Sequence, residues 1–225
     1  MKALFFGSIG SVVETSELQR QAFNQAFKEH GLDWVWEKPD YAEMLKSSGG
    51  AKRIAAYAED RGEEVDANAI HQRKSAIFLE QLQAGTKAPR DGVLDLLKHC
   101  QAHGLKTGFV STTEPATIEA ISAILFGQRV RSFDVMTSRA LGLDPKPAPD
   151  AYQFALDRLG LAATDVLAIE DNLDGVTSAK AAGLFVVAYP GEFDDPKDFA
   201  EADHVVKGSL FEEVVPFLEN AKVAT

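Results

Sequence analysis

The chain opens on a short run without a polar residue, Ala3-Leu-Phe-Phe6, which stops abruptly at Gly7. Such a run reads as a β-strand covered on both faces. From Thr15 to Gly85 the pattern is helical. Leu18, Ala22, Ala26 and Phe27 recur at spacings of three and four, with Phe23 widening the stripe. This predicts a helix from Ser16 to His30, capped by Ser16, favoured by Glu17 in its first turn and closed by Gly31. Lys38-Pro39-Asp40 opens a second helix that runs through Leu45. Ser47-Ser48-Gly49-Gly50 breaks it, Ile54, Ala55 and Ala58 carry a third, and Asp66 to Gln83 forms a fourth. Nothing in this stretch alternates as a strand would. After Pro89 strands and helices take turns. Strands are expected at Lys106–Val110, Phe133–Met136, Val166–Ile169 and Leu184–Ala188, with a short edge strand at Val205-Val206. Helices are expected from Val93 to near Gly104, then at Thr117–Leu125, Pro149–Leu159, Gly175–Ala182 and Glu212–Leu218. Strands separated by single helices imply right-handed crossovers and a parallel sheet covered on both faces. The fold class is therefore α/β, a doubly wound parallel sheet with an inserted helical cap. Residues 1–15 and 87–225 make the core and 16–86 the cap, hinged near Glu14-Thr15 and Thr86-Lys87.

Composition narrows the functions this fold can serve. With 225 residues, 45% hydrophobic and 25% charged, the chain can build a sizeable globular core. A formal net charge of −11 argues against a nucleic-acid groove and against an anionic membrane surface. An anionic ligand must therefore be held by local positive charge or by helix N-termini. The single cysteine, Cys100, excludes an internal disulfide, suits a cytoplasmic setting and reads as inert packing on an amphipathic helix. The apolar run at the start is too short for a signal peptide or a membrane helix. The five histidines show no metal spacing. His99 and His103 look like one exposed helix face, and none is given a role.

In a parallel sheet, ligands gather where strands end. Strand one ends on Gly7, Ser8 and Ile9, which offer no acid, base or strong nucleophile. Ser111-Thr112-Thr113 ends the second core strand and precedes a helix, where hydroxyls and amides can hold a phosphate or merely cap that helix. Lys146 stands between Pro145 and Pro147 in a stiff loop, suited to a phosphate or a carboxylate. Glu170-Asp171 ends an apolar strand, an uncomfortable place for carboxylates unless a cation compensates them or they cap the next helix. Taken together and in this order, the three clusters are far more specific than any one alone.

These motifs resemble those of the haloacid dehalogenase superfamily with a helical cap, and within it the CbbY-like branch of sugar-phosphate phosphatases, relatives of beta-phosphoglucomutase. The resemblance runs through Ala22-Phe23-Asn24-Gln25-Ala26-Phe27, Gly31-Leu32-Asp33-Trp34, Gly49-Gly50 with Arg53-Ile54, Lys146-Pro147-Ala148-Pro149-Asp150, and Glu170-Asp171 with Ala181-Ala182-Gly183-Leu184. It implies a Rossmannoid core and Mg2+-assisted phosphoryl transfer through an Asp-x-Asp pair on strand one. Ser111 and Thr112 then match the phosphate-binding hydroxyl cluster, Lys146 the lysine that neutralises the phosphoryl group, and Glu170 and Asp171 the acidic metal motif. Gly49, Gly50 and Arg53 match cap positions that face substrate. At strand one the pattern breaks: Gly7 stands where the nucleophilic aspartate belongs and Ile9 where the acid/base aspartate belongs. Ser16, Gln19 and Ala51 also replace polar side chains of the branch pattern.

Glycine offers no nucleophile, isoleucine moves no proton, and Mg2+ loses an anionic ligand and is weakened. By strand alternation Ser8 turns away from the site, and Ser11 lies in a loop without a base. The leading expectation is a pseudoenzyme: a phosphatase fold without phosphoaspartyl chemistry that keeps at most a pocket for a small phosphorylated metabolite or an inorganic anion. One alternative is an active hydrolase of a phosphorylated substrate with a non-standard nucleophile; another is a regulatory protein pairing with an active relative. Returning both aspartates, Gly7→Asp with Ile9→Asp, is expected to restore metal binding.

Overall fold

A computed structural model describes residues 1–46, 49–85, 87–127 and 133–219. Ser47, Ser48 and Thr86, which belong to the expected helix break and hinge, lie outside the described residues. The chain divides into two compact units, one of Met1–Glu14, Lys87–Gly191 and Asp195–Thr225, the other of Thr15–Thr86 and Glu192–Asp194.

The first unit is built on strand β1 (Ala3–Phe6), all four residues of which are buried. Chain order continues with helix α1 (Ile9–Val12) and, in the second unit, α2 (Ser16–Glu29), α3 (Lys38–Met44), α4 (Gly50–Arg61) and α5 (Ala67–Gln83). It returns to the first unit with α6 (Val93–Ala102), β2 (Lys106–Val110), α7 (Pro115–Phe126), β3 (Val135–Thr137) and α8 (Asp150–Leu159). The last elements are β4 (Val166–Glu170), α9 (Leu173–Ala181), β5 (Phe185–Ala188), β6 (His204–Val205) and α10 (Leu210–Glu219). The six strands form one sheet in the order β3-β2-β1-β4-β5-β6, and every pairing is parallel. β1 lies between β2 and β4, with Phe6 beside Phe109 on one side and Ile169 on the other. Burial on both faces explains its unbroken apolar sequence. Phe5 packs with Tyr152, Ala155 and Val176 on one face. On the other, Phe6 and Phe109 meet Phe133 at ring separations of 6.2 and 5.5 Å. Gly108 makes room for Phe5, since a Cβ there would sit 2.6 Å from its ring. Each such aromatic contributes about 1.5–3 kcal/mol by burial alone.

Two local expectations are corrected. Ser16 is the first residue of α2 and Thr15 its N-cap. Ser11 lies in helix α1, not in a loop, and is buried. Cys100 is buried and burial pushes its thiol up to about 12, so it carries no thiolate chemistry.

In the second unit the described residues form helices only, around an aromatic cluster. Phe23 and Phe27 each stand 4.7 Å from Trp36 between ring centroids. The Asn24 side chain clamps Trp36, accepting from its N–H at 2.8 Å and donating to its carbonyl at 3.1 Å. Glu192–Asp194 cluster with these helices because Phe193 meets Tyr41 edge-on at 6.1 Å and Lys38 reaches Glu192 at 3.2 Å.

One side chain in this unit is expensive. Lys74 is 5% exposed, donates to Gln19 Oε1 at 2.8 Å and lies over the rings of Phe23 and Phe78. Burial, with a smaller contribution from the Arg53 charge, pushes its ammonium down to about 7. The unfolded chain holds this proton up to about pH 10.4, so between those values it binds more protons than the folded chain. Stability therefore rises with pH across that window, and the full penalty applies below it. Lys74→Met is expected to stabilise the protein at pH 6 by on the order of 3–4 kcal/mol, shrinking to under about 1 kcal/mol at pH 10. Urea midpoints at the two pH values check this; an equal gain at both defeats it.

Candidate functional site

The candidate site lies where β1, β2 and β4 reach their carboxyl ends. β1 stops at Phe6, and the Gly7 N–H donates to the carbonyl of Ile169 at 2.9 Å, holding the turn against β4. The short helix α1 beyond is pinned by Arg90, whose guanidinium donates to the carbonyls of Gly10, Tyr189 and Pro190 at 2.8, 2.8 and 2.5 Å.

Glu170 closes β4 with its side chain wholly buried. Its Oε1 accepts from Lys146 Nζ at 2.5 Å and from the Tyr152 hydroxyl at 2.6 Å. Its Oε2 accepts from Ser8 Oγ at 3.0 Å. Lys146, with 9% of its side chain exposed, also donates to the Gly7 carbonyl and lies 4.7 Å from the centre of the Tyr152 ring. A buried carboxylate is tolerable only with such partners, and here a cation and two hydroxyls share the task. Burial, then the Glu170 charge, pushes the Tyr152 hydroxyl well above the usual tyrosine range, so it remains a donor.

Three glycines make room for the acidic pair. A Cβ on Gly7 would fall far inside van der Waals distance of Glu170 Oε1 and the Tyr152 hydroxyl, and one on Gly175 would strike the Glu170 carboxyl. On Gly10 it would strike the carboxyl of Asp171. The space that a side chain at residue 7 would need is thus already filled.

The serine geometry overturns the expectation that Ser8 faces away. Its Oγ lies between the two carboxylates, donating to Glu170 Oε2 and Asp171 Oδ1. The strand ends at Phe6 and Ser8 is already the N-cap of α1, so alternation does not extend to it. Ser11 Oγ donates to the Ser8 carbonyl at 2.6 Å, which makes it a brace for this turn. Ile9 begins α1 and is half-buried.

At the end of β2, Ser111 is buried and its Oγ accepts from the Thr113 N–H at 3.2 Å, while Thr137 donates to its carbonyl at 2.8 Å. Neither Thr112 nor Thr113 caps the next helix; Glu114 holds the N-cap, with Pro115 behind it. Likewise α9 is capped by Asn172, which accepts from the Gly175 N–H at 2.8 Å, so Glu170 and Asp171 do not cap it. In the helical unit, Gly49 adopts φ +102° at the N-cap of α4, and Gly50 leaves space for His71. Arg53 donates to the Met44 carbonyl at 3.0 Å and lies 5.7 Å from the Tyr41 ring centre.

A model of haloacid dehalogenase-like hydrolases matches residues 1–183. The chain belongs to that family. It is 37% identical over 207 residues to the protein CbbY of Rhodobacter capsulatus, covering 90% of this chain and 91% of the relative. It is 36% identical over 211 residues to a plasmid CbbY of Cupriavidus necator, covering 90% and 83%. The crystal structure of CbbY from Rhodobacter sphaeroides in complex with phosphate superposes with a TM-score of 0.82 at 33% identity, covering 95% of this chain and 96% of that one. A mutant of that CbbY has been solved with xylulose-(1,5)bisphosphate, again at a TM-score of 0.82. The parallel sheet and its flanking helices are thus the haloacid dehalogenase-like hydrolase fold of CbbY.

Tyr152 and Gly175 join the site without having been picked out in the sequence, and Ser8 joins it after having been set aside. Tyr152 sits on α8, six residues after Lys146 and 18 residues before Glu170, and no spacing rule links a tyrosine to a carboxylate on another element.

Proposed function

We propose that this chain is a CbbY-like member of the haloacid dehalogenase-like hydrolases without phosphoaspartyl chemistry, retaining a weak pocket for a phosphorylated small molecule or an inorganic anion. The observation that carries this is the filled space at Gly7: a buried Lys146–Glu170–Tyr152 cluster where a nucleophilic side chain would project. Residues 16–86 serve as the cap, with Gly49, Gly50 and Arg53 on the substrate side. A reducing, cytoplasmic setting suits the lone buried thiol.

Hydrolases of this family typically use Mg2+. The strand ends fit it poorly. Gly7 supplies no carboxylate, and both oxygens of Glu170 are already taken by Lys146, Tyr152 and Ser8. Mg2+ takes six oxygens in octahedral array, one or two of them from carboxylates, and would have to displace Lys146 and Tyr152 from Oε1 of Glu170, or Ser8 from its Oε2 and from Asp171 Oδ1. Ser111, Thr112 and Lys146 remain to hold an anion, but the charge of Lys146 is largely spent on Glu170. Inorganic phosphate is expected to bind weakly without Mg2+, to bind several-fold more tightly to Glu170→Gln, which releases the ammonium, and not to bind to Lys146→Ala. NMR titration of the three proteins checks this. No response in wild type, or the same response in Lys146→Ala, defeats the proposal.

Ser8 favours a second reading, a hydrolase with a serine nucleophile. Its Oγ lies within hydrogen-bond reach of two carboxylates, the geometry asked of a nucleophile and its base. A carboxylate is a weak base for an alcohol at neutral pH, and the single hydroxyl proton is already shared between two acceptors. Turnover abolished by Ser8→Ala would establish this reading.

A further inference from the structure

Away from the strand ends, His99 lies in the last turn of α6 and His103 at its C-cap, while α10 ends on Glu219. A spacing of four places both imidazoles on one helix face, where they stack with centroids 4.0 Å apart and planes 27° apart. His99 is less exposed than its sequence pattern suggests: 9% of its side chain is accessible, and Phe211 packs edge-on against it at 6.0 Å. Its Nε2 is 3.9 Å from Glu219 Oε1. One ligand atom from each of the three residues lies within 4.8 Å of the other two, the one such trio of His, Cys, Asp or Glu among the described residues. His103 Nδ1 is 2.9 Å from the carbonyl of His99. A carbonyl can only accept, so Nδ1 carries the proton and a neutral ring keeps its lone pair on Nε2. Metal-binding imidazoles are oriented by this kind of bond from the other ring nitrogen.

We propose that His99, His103 and Glu219 form a Zn2+ site that ties the end of α10 to α6. Zn2+ takes imidazole nitrogen and carboxylate oxygen at about 2.0–2.2 Å, which puts tetrahedral ligands roughly 3.3 Å apart. Closing from 4.8 Å asks for about 1.5 Å at most. Rotation of the exposed His103 and Glu219 supplies it without disturbing packing, while Phe211 holds His99 still. Water completes the fourth position. Two imidazoles and one carboxylate favour zinc and its neighbours over Mg2+ or Ca2+, which want oxygen alone.

The test uses tag-free, chelator-treated full-length protein, titrated with ZnCl2 by calorimetry and with Co2+ by visible absorption. Wild type is expected to take up one Zn2+ per chain, with a thermal midpoint that climbs with zinc concentration. His103→Ala and Glu219→Gln are each expected to weaken uptake at least about tenfold, since even the loss of an outer-shell partner costs that much. Both side chains are exposed, so metal-free melting curves matching wild type show that the variants fold. Absence of saturable uptake in wild type, or unchanged affinity in both variants, overturns the site.

Discussion

Purified wild-type protein is expected to release no phosphate from xylulose-(1,5)bisphosphate in the presence of Mg2+ above the uncatalysed background. The phosphoaspartyl route needs a carboxylate in line with phosphorus and a second group to protonate the leaving oxygen. Residue 7 has no side chain, and the first turn of α1 offers only Ile9, an alkyl group. Loss of a nucleophile alone costs on the order of 10⁴ or more in rate, and loss of its proton carrier adds little because the two act as a unit. Ser8 is the serine hydroxyl placed against both carboxylates at this strand end, and its proton serves to bridge Glu170 and Asp171. Phosphate release measured colorimetrically over hours decides the matter. An ordinary enzymatic rate that disappears in Ser8→Ala would sink the inactive reading and leave the serine hydrolase standing. Wild-type turnover that survives Ser8→Ala would sink both.

The centre of the sheet was legible because β1, β4 and β5 are buried on both faces and therefore almost wholly apolar. The runs Ala3–Phe6, Val166–Ile169 and Leu184–Ala188 mark them, and the strands observed are Ala3–Phe6, Val166–Glu170 and Phe185–Ala188. Helix α1 escaped because four residues hold barely one helical turn, too few for any period to show. Alternation misled at Ser8 for a related reason: the strand had ended two residues earlier, and periodicity says nothing about a chain that has left its element. Lys146, Glu170 and Asp171 could be named from motif and position, yet their mutual arrangement could not. What brings Lys146 and Tyr152 onto Glu170 is the passage of α8 across the sheet next to α9, a tertiary fact with no local trace. The same holds for His99, His103 and Glu219, since the third member is 116 residues from the second (219 − 103) and only helix packing unites them.

Gly7→Asp is expected to destabilise the protein by at least about 3 kcal/mol and to bring no tight Mg2+ binding, contrary to the simple view that returning an aspartate rebuilds a metal site. Any side chain at residue 7 starts with a Cβ in the space of Glu170 Oε1 and the Tyr152 hydroxyl. Overpacking of that kind typically costs about 1–3 kcal/mol before charge is considered. The new carboxylate would then share a buried site with Glu170 and compete for the one ammonium, that of Lys146, raising the cost further. Gly7→Ala isolates the steric part and should lose somewhat less. The argument also specifies its own rescue. Glu170→Ala alone strands the buried Lys146 ammonium and should cost about 3–5 kcal/mol. Combined with Gly7→Asp, it removes the two Glu170 atoms of the clash, leaving the Tyr152 hydroxyl as the one group that must shift, and supplies Lys146 and Tyr152 with a carboxylate from the neighbouring strand end. The double variant should therefore be more stable than the sum of the two losses predicts, with a coupling of about 2 kcal/mol or more. Urea unfolding of the four proteins in the cycle measures it. Simple additivity, or a Gly7→Asp protein as stable as wild type, would mean that Glu170 and Tyr152 yield their space freely and that the strand end is open to a metal-binding side chain after all.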